Sequence, residues 1–148
     1  ETGGGIGNDV PRIDAERNMA MYRALTTAMG AGLVRSAHDC SDGGLAPALA
    51  ECCFGVDGAT TIDLTGLGDI DVWSALFSES LGRIIVSVKS EDSALFQTAM
   101  KGHACFALGE VDDKKTLKFT QDSETVCKVK LATLLTAWKD TLHMGGED

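Results

Sequence analysis

Along the chain, apolar residues keep one of two rhythms. Met19, Tyr22, Leu25 and Met29 recur at intervals of three and four, the period of one helix face. A helix is therefore predicted from Asp14, a capping residue, to about Met29, with Gly30 and Gly32 ending it. Leu45, Leu49 and Cys52 keep the same period over residues 45–54. Ile70, Trp73, Leu76 and Phe77 keep it in a short helix opened by Asp69. Leu95, Phe96, Ala99 and Met100 follow Ser90-Glu91-Asp92 in a fourth helix. Leu131, Leu134, Leu135, Trp138 and Leu142 form one stripe on a last amphipathic helix, a core or interdomain face.

Between these helices the rhythm is that of strands. Residues 33–37, 58–64, 83–88, 104–111, 115–120 and 125–129 are six candidates, with a turn at Asp112-Asp113-Lys114. Arg83-Ile84-Ile85-Val86-Ser87-Val88 is apolar on both faces and reads as central in a sheet. The order predicts an α/β (α+β) domain, a layered mixed sheet flanked by helices. Residues 1–148 read as a single domain, with 1–13 a glycine-rich leading segment that serves as a tail or an active-site loop. The start at Glu1-Thr2, without methionine, reads as a processed product or a piece of something longer.

The candidate chemistry lies where one strand gives way to the second helix, at His38-Asp39-Cys40-Ser41-Asp42-Gly43-Gly44-Leu45. Pro47 is tolerated only in a first turn, so the helix begins near Leu45 and residues 41–44 form the loop entering it. Such a loop offers free N–H groups and the positive end of the helix dipole, the means by which proteins hold phosphates and carboxylates. Paired glycines permit close approach or positive φ. A plainer reading has Ser41 and Asp42 capping the helix while Gly43 and Gly44 make the turn. The pattern is neither a Walker loop nor a dinucleotide fingerprint.

Composition narrows the partners. Thirteen basic against 22 acidic residues give a net charge of −9, and no basic cluster is evident, so nucleic acid is not expected as a partner. No apolar run approaches the roughly 18 residues that span a bilayer, so no membrane is expected either. Five cysteines without C-x-x-C spacing argue against zinc or a disulfide framework and read as reduced thiols in a cytoplasmic protein. No metal site is expected within the chain.

Ala37-His38-Asp39-Cys40-Ser41-Asp42-Gly43-Gly44-Leu45, continuing through Ala48-Leu49-Ala50-Glu51, closely resembles a signature of the aminoimidazole ribonucleotide synthetase-related superfamily. The form is that of phosphoribosylformylglycinamidine synthase synthetase subunits. Leu76-Phe77-Ser78-Glu79-Ser80-Leu81-Gly82-Arg83-Ile84-Ile85-Val86 is similar to their F-S-E-S-x-x-R-x-x-V stretch, and Leu33-Val34-Arg35-Ser36 to the run before the histidine. The Trp138 helix suits that subunit's end, and Glu1-Thr2 with its glycines resembles a G-E-T segment.

The resemblance implies the last C-terminal α/β domain of a larger, duplicated synthetase. It implies a reaction that converts formylglycinamide ribonucleotide to its amidine with ATP, Mg²⁺ and ammonia from a glutaminase subunit. The amide oxygen is phosphorylated, becomes a leaving group, and ammonia takes its place. Nucleotide and metal ligands would come largely from the other domains of the same synthetase, leaving this piece inactive alone.

Candidate residues follow. His38 is the acid–base candidate, or a histidine hydrogen-bonded at a strand end. Asp39 and Asp42 suit magnesium or a ribose hydroxyl, or ordinary turn chemistry. Ser41, Asp42, Gly43 and Gly44 would border the phosphate of a phosphorylated ribonucleotide. Glu79 precedes a strand where sheet ends carry function, or is an exposed loop residue. His103 and His143 read as surface residues. Two alternatives stand beside this: the non-catalytic half of the duplicated enzyme, and an aminoimidazole ribonucleotide or selenophosphate synthetase type. The F-S-E-S stretch argues against the second.

Overall fold

The computed structural model describes residues 12–56 and 58–140. Helix α1 (Ala15–Gly30) is capped by Asp14, whose carboxylate accepts the Arg17 N–H at 3.0 Å. Its packed face differs from the predicted one. Leu25 and Ala28 are buried with Met21 and Ala24 beside them, whereas Met19 and Met29 stay exposed. Helix α2 (Leu45–Phe54) starts where Pro47 requires, with the proline in its first turn. Helix α3 (Val72–Phe77) is capped by Asp71 rather than Asp69, through the Ser74 N–H at 2.9 Å. Helix α4 (Ser93–Ala99) follows a single 3₁₀ turn over Ser90–Asp92. Helix α5 (Leu131–Asp140) closes the described chain, so Leu142 and His143 lie outside it, as do residues 1–11 of the glycine-rich segment.

Strands β1 (Ser36–Asp39) and β3 (Ile84–Ser87) pair antiparallel, with His38 opposite Ile85. Strands β2 (Ala59–Asp63), β4 (Val111–Asp112), β5 (Thr116–Gln121) and β6 (Glu124–Lys130) form a second, mixed sheet in the order β4-β2-β5-β6. In it β2 runs parallel to β5 and antiparallel to β4, while β5 and β6 make a hairpin. The fold is thus a layered α/β arrangement whose mixed sheet is flanked by helices.

Three expectations need correction. The run 83–88 is not central in a sheet: β3 pairs with β1 alone among the described residues. Its two apolar faces have another cause. Ile84, Val86 and Val88 pack on a cluster built from α1 and α4, while Ile85 packs on the larger core around α2 and the mixed sheet. Residues 104–110 do not form a strand, and only Val111–Asp112 pairs. There Asp63 N–H reaches the Leu108 carbonyl at 2.7 Å and the Thr60 hydroxyl the Glu110 carbonyl at 2.8 Å, isolated ties rather than a ladder. The strand expected at 33–37 lies at 36–39, which brings His38 and Asp39 inside β1.

The larger core joins Leu45, Leu49 and Cys53 of α2 to Ile62, Leu117, Phe119, Leu76 and Leu131. Trp138 of α5 is half exposed, its ring 5.7 Å from that of Phe54 on α2. The core thereby fixes α2 against the sheet, and the loop that enters α2 inherits that position.

Candidate functional site

The loop begins where β1 ends. Asp39 closes the strand, and the next residue's amide, Cys40 N–H, still bonds the Arg83 carbonyl at 3.0 Å. The chain then turns through Ser41 and Asp42 to two glycines with positive φ, Gly43 at +76° and Gly44 at +79°. Gly44 is the N-cap of α2, and no side chain caps that helix. The plain capping reading of Ser41 and Asp42 therefore fails. The Ser41 hydroxyl is turned back onto the Asp39 carboxylate, and Asp42 stands exposed.

The second signature meets the first at this loop. Glu79 accepts the Gly43 N–H at 2.9 Å. A Cβ on Gly44 would lie 2.6 Å from the Ser78 carbonyl oxygen and 2.9 Å from the Phe77 carbonyl carbon, so only glycine fits. Arg83 holds the segment from behind. Its guanidinium donates to the Ala75 carbonyl at 3.0 Å and to the Ser78 carbonyl, while its buried Nε finds no partner. Beside this junction opens a cleft of about 430 Å³, lined by Asp39, Ser41, Asp42 and Glu79 with Tyr22 and Arg83, while Gly43 and Gly44 lie outside its lining. Sequence reasoning missed Tyr22 as a lining residue and gave Arg83 no role. An arginine opening a strand next to F-S-E-S was the only signal available.

His38 stands apart from the cleft's free groups. Its Nε2 lies 3.2 Å from Glu51 of α2, and its Nδ1 lies 2.6 Å from the Asp39 carbonyl. Each ring nitrogen meets a protein acceptor, so the ring ties β1 to α2.

The electrostatics favour a carboxylate-rich cleft. The Ser41 hydroxyl holds the Asp39 carboxyl below its usual range, helped by a backbone hydrogen bond, opposed by desolvation and aided last by His38. Burial pushes the Cys40 thiol up, only partly offset by the Arg83 charge, so Cys40 is no activated nucleophile. Gly44 N–H is also satisfied, bonding the Ser41 carbonyl at 3.2 Å. The cleft is thus equipped to accept hydrogen bonds from hydroxyl or amino groups. The glycine amides beside it are already in use. Among the described residues no group of three or more His, Cys, Asp or Glu side chains is arranged to hold a metal ion, and no helix is long and apolar enough to cross a membrane.

Comparison with known proteins agrees with this architecture. Thermotoga maritima PurL complexed with FGAR has the same fold, with a TM-score of 0.75 at 21% identity over 84% of this chain. The same protein complexed with ATP gives a TM-score of 0.68 at 22% identity over 77% of this chain. PurLQS from Thermotoga maritima gives 0.73 at 20% identity over 83%. This chain spans about a fifth of their length, 22% for the FGAR complex and 21% for the ATP complex. The family model for the C-terminal domain of AIR synthase related proteins matches residues 1–122, and the chain belongs to that family.

Proposed function

We propose that this domain works within a phosphoribosylformylglycinamidine synthase, as the C-terminal domain of its synthetase subunit. That enzyme is an ATP-dependent carbon–nitrogen ligase of purine synthesis, placed in the cytoplasm. It converts formylglycinamide ribonucleotide to the amidine with ammonia from a glutaminase subunit. The observation that carries the reading is that residues 37–45 and 76–86, the two stretches resembling that family, fold together as the walls of one cleft. The Thermotoga maritima PurL complexes with ATP, ADP and FGAR support a nucleotide and a phosphoribosyl substrate for the assembled protein.

In this reading Asp39 and Asp42 accept ribose hydroxyls, while Ser41, Gly43 and Gly44 border the phosphate end. Glu79 and Arg83 hold the loop in shape, and His38 positions α2 against β1. ATP and magnesium ligands are assigned to the remaining domains of the synthetase. The domain is inactive alone.

A second reading, the non-catalytic half of the duplicated enzyme, draws support from a specific observation. The amides of Gly43 and Gly44 and both nitrogens of His38 are already partnered. Isothermal titration of the full-length protein with formylglycinamide ribonucleotide decides between the two, using Ser41→Ala with Asp42→Asn. An affinity loss of about tenfold (~1.4 kcal/mol), read at a temperature where the variant is still fully folded, supports a substrate-facing cleft. Unchanged affinity and turnover assign this domain to the structural half.

A further inference from the structure

At its β5–β6 side the mixed sheet packs one face on the core and leaves much of the other to solvent. Ile62, Leu117 and Phe119 point into the core beneath α2 and α5, with Cys127 packed beside them. On the opposite face the register sets Thr61 beside Lys118, Lys118 directly opposite Lys128, and Thr116 opposite Lys130. Lys128 and Lys130 are exposed and Lys118 is half-buried, so three ammonium groups share one patch. A scan of the sequence finds no basic cluster because strand alternation and the hairpin separate these residues.

The arrangement opposes the chain's own stability. Like charges directly across an antiparallel pair repel, their Cβ atoms only about 4.5–5.5 Å apart. Acidic residues outnumber basic ones 22 to 13, and lysines elsewhere pair with them, as Lys89 does with Glu91 and Lys114 with Asp112. Of the acidic residues that the register sets on this face, Asp63 accepts from the N–H and hydroxyl of Thr65, and Asp112, opposite Ala59, pairs with Lys114; Glu124 lies opposite Gln121, on the other side of the hairpin. Lysines often guard an edge strand against unwanted pairing. That accounts for Lys128 and Lys130 on β6, which is an edge. It does not account for Lys118 on β5, which lies between β2 and β6.

We propose that this sheet face docks an acidic protein surface, whose carboxylates meet Lys118, Lys128 and Lys130. Charge complementarity selects the partner. A nucleic acid carries uniform charge well beyond three lysines and would meet a chain of net charge −9. The face also offers threonine hydroxyls where base stacking would need aromatic rings. A carboxylate-bearing protein surface can confine its charge to the patch and gain orientation from it.

The test uses a short peptide carrying three glutamates flanked by neutral residues, at low salt, followed by fluorescence anisotropy. Lys118→Thr with Lys128→Thr is expected to weaken binding about tenfold, and Lys118→Arg with Lys128→Arg to retain it. Lys101→Thr with Lys139→Thr, which removes equal charge elsewhere, should leave binding within about twofold. The threonine pair should also melt higher by about 1–4 °C at low salt, a gain that fades at high salt. Absence of peptide binding, equal weakening by the control pair, or tighter binding of oligothymidylate or phosphatidylserine vesicles than of the peptide overturns the proposal.

Discussion

Glu79 accepts the backbone N–H of Gly43 at 2.9 Å, joining two segments 36 residues apart in the chain. The loop at the head of α2 therefore holds an anion belonging to the protein itself. Behind that contact, Arg83 ties down the carbonyls of Ala75 and Ser78. At its side, Gly44 lets the two backbones touch. The two stretches that look like separate signatures in the sequence are thus one structural unit, and each makes sense only in the presence of the other.

Replacing Glu79 separates charge from geometry. Glu79→Ala leaves the Gly43 N–H to water and should lower the melting midpoint by about 2–4 °C, a cost of roughly 1 kcal/mol at an exposed position. Glu79→Gln keeps an acceptor oxygen and should fall within about 1 °C of the parent. Hydrogen exchange at Gly43 gives the local readout. If the alanine variant melts unchanged and the Gly43 amide exchanges no faster, the contact does not organise the loop.

Gly44 admits no side chain, for two independent reasons. Its φ of +79° and ψ of −148° lie in a region that is essentially glycine's own. A Cβ there would also press on the Ser78 carbonyl at 2.6 Å. Gly44→Ala should cost about 2–4 kcal/mol, combining backbone strain with overpacking. Gly30→Ala at the end of α1, where a Cβ meets nothing within 4 Å, serves as the comparison and should be near neutral or stabilising. Chemical denaturation of both variants reads the difference. Equal stability would mean that α3 and the loop do not in fact abut.

Local signals carried the reading well where one residue settles the matter. Pro47 set the start of α2, and Asp14 set that of α1. The reading failed where the answer depended on a distant partner. Ile84, Ile85 and Val86 are apolar on both faces because two separate clusters claim them, and alternation cannot say how many strands lie alongside. Residues 104–110 have strand-like composition, but their backbone finds no ladder. Around the cleft, Glu79 and the loop were legible as motifs. The use of His38 was not, since Glu51 is brought to it only when α2 packs on β1. The row formed by Lys118, Lys128 and Lys130 needs the hairpin register, which no linear pattern contains.

Asp39 gives the last prediction, through pH. Its carboxyl is held below the usual range chiefly by the Ser41 hydroxyl. A carboxyl whose folded pKa is depressed contributes stability above its unfolded pKa of about 3.9. That contribution disappears as pH falls through the lower folded value. Ser41→Ala removes the largest cause, so the Asp39 pKa should rise toward the ordinary carboxylate value. The variant should then be less stable than the parent at neutral pH, and the two should converge once the pH has fallen below the parent's lowered Asp39 pKa. Carboxyl-detected NMR titration of Asp39, paired with melting curves across that window, measures both effects. The backbone hydrogen bond and the nearby His38 remain in the variant, so a small residual depression is expected. An Asp39 titration indistinguishable between the two proteins would show that the hydroxyl does not hold the carboxylate, and Ser41 would then be free to face the cleft.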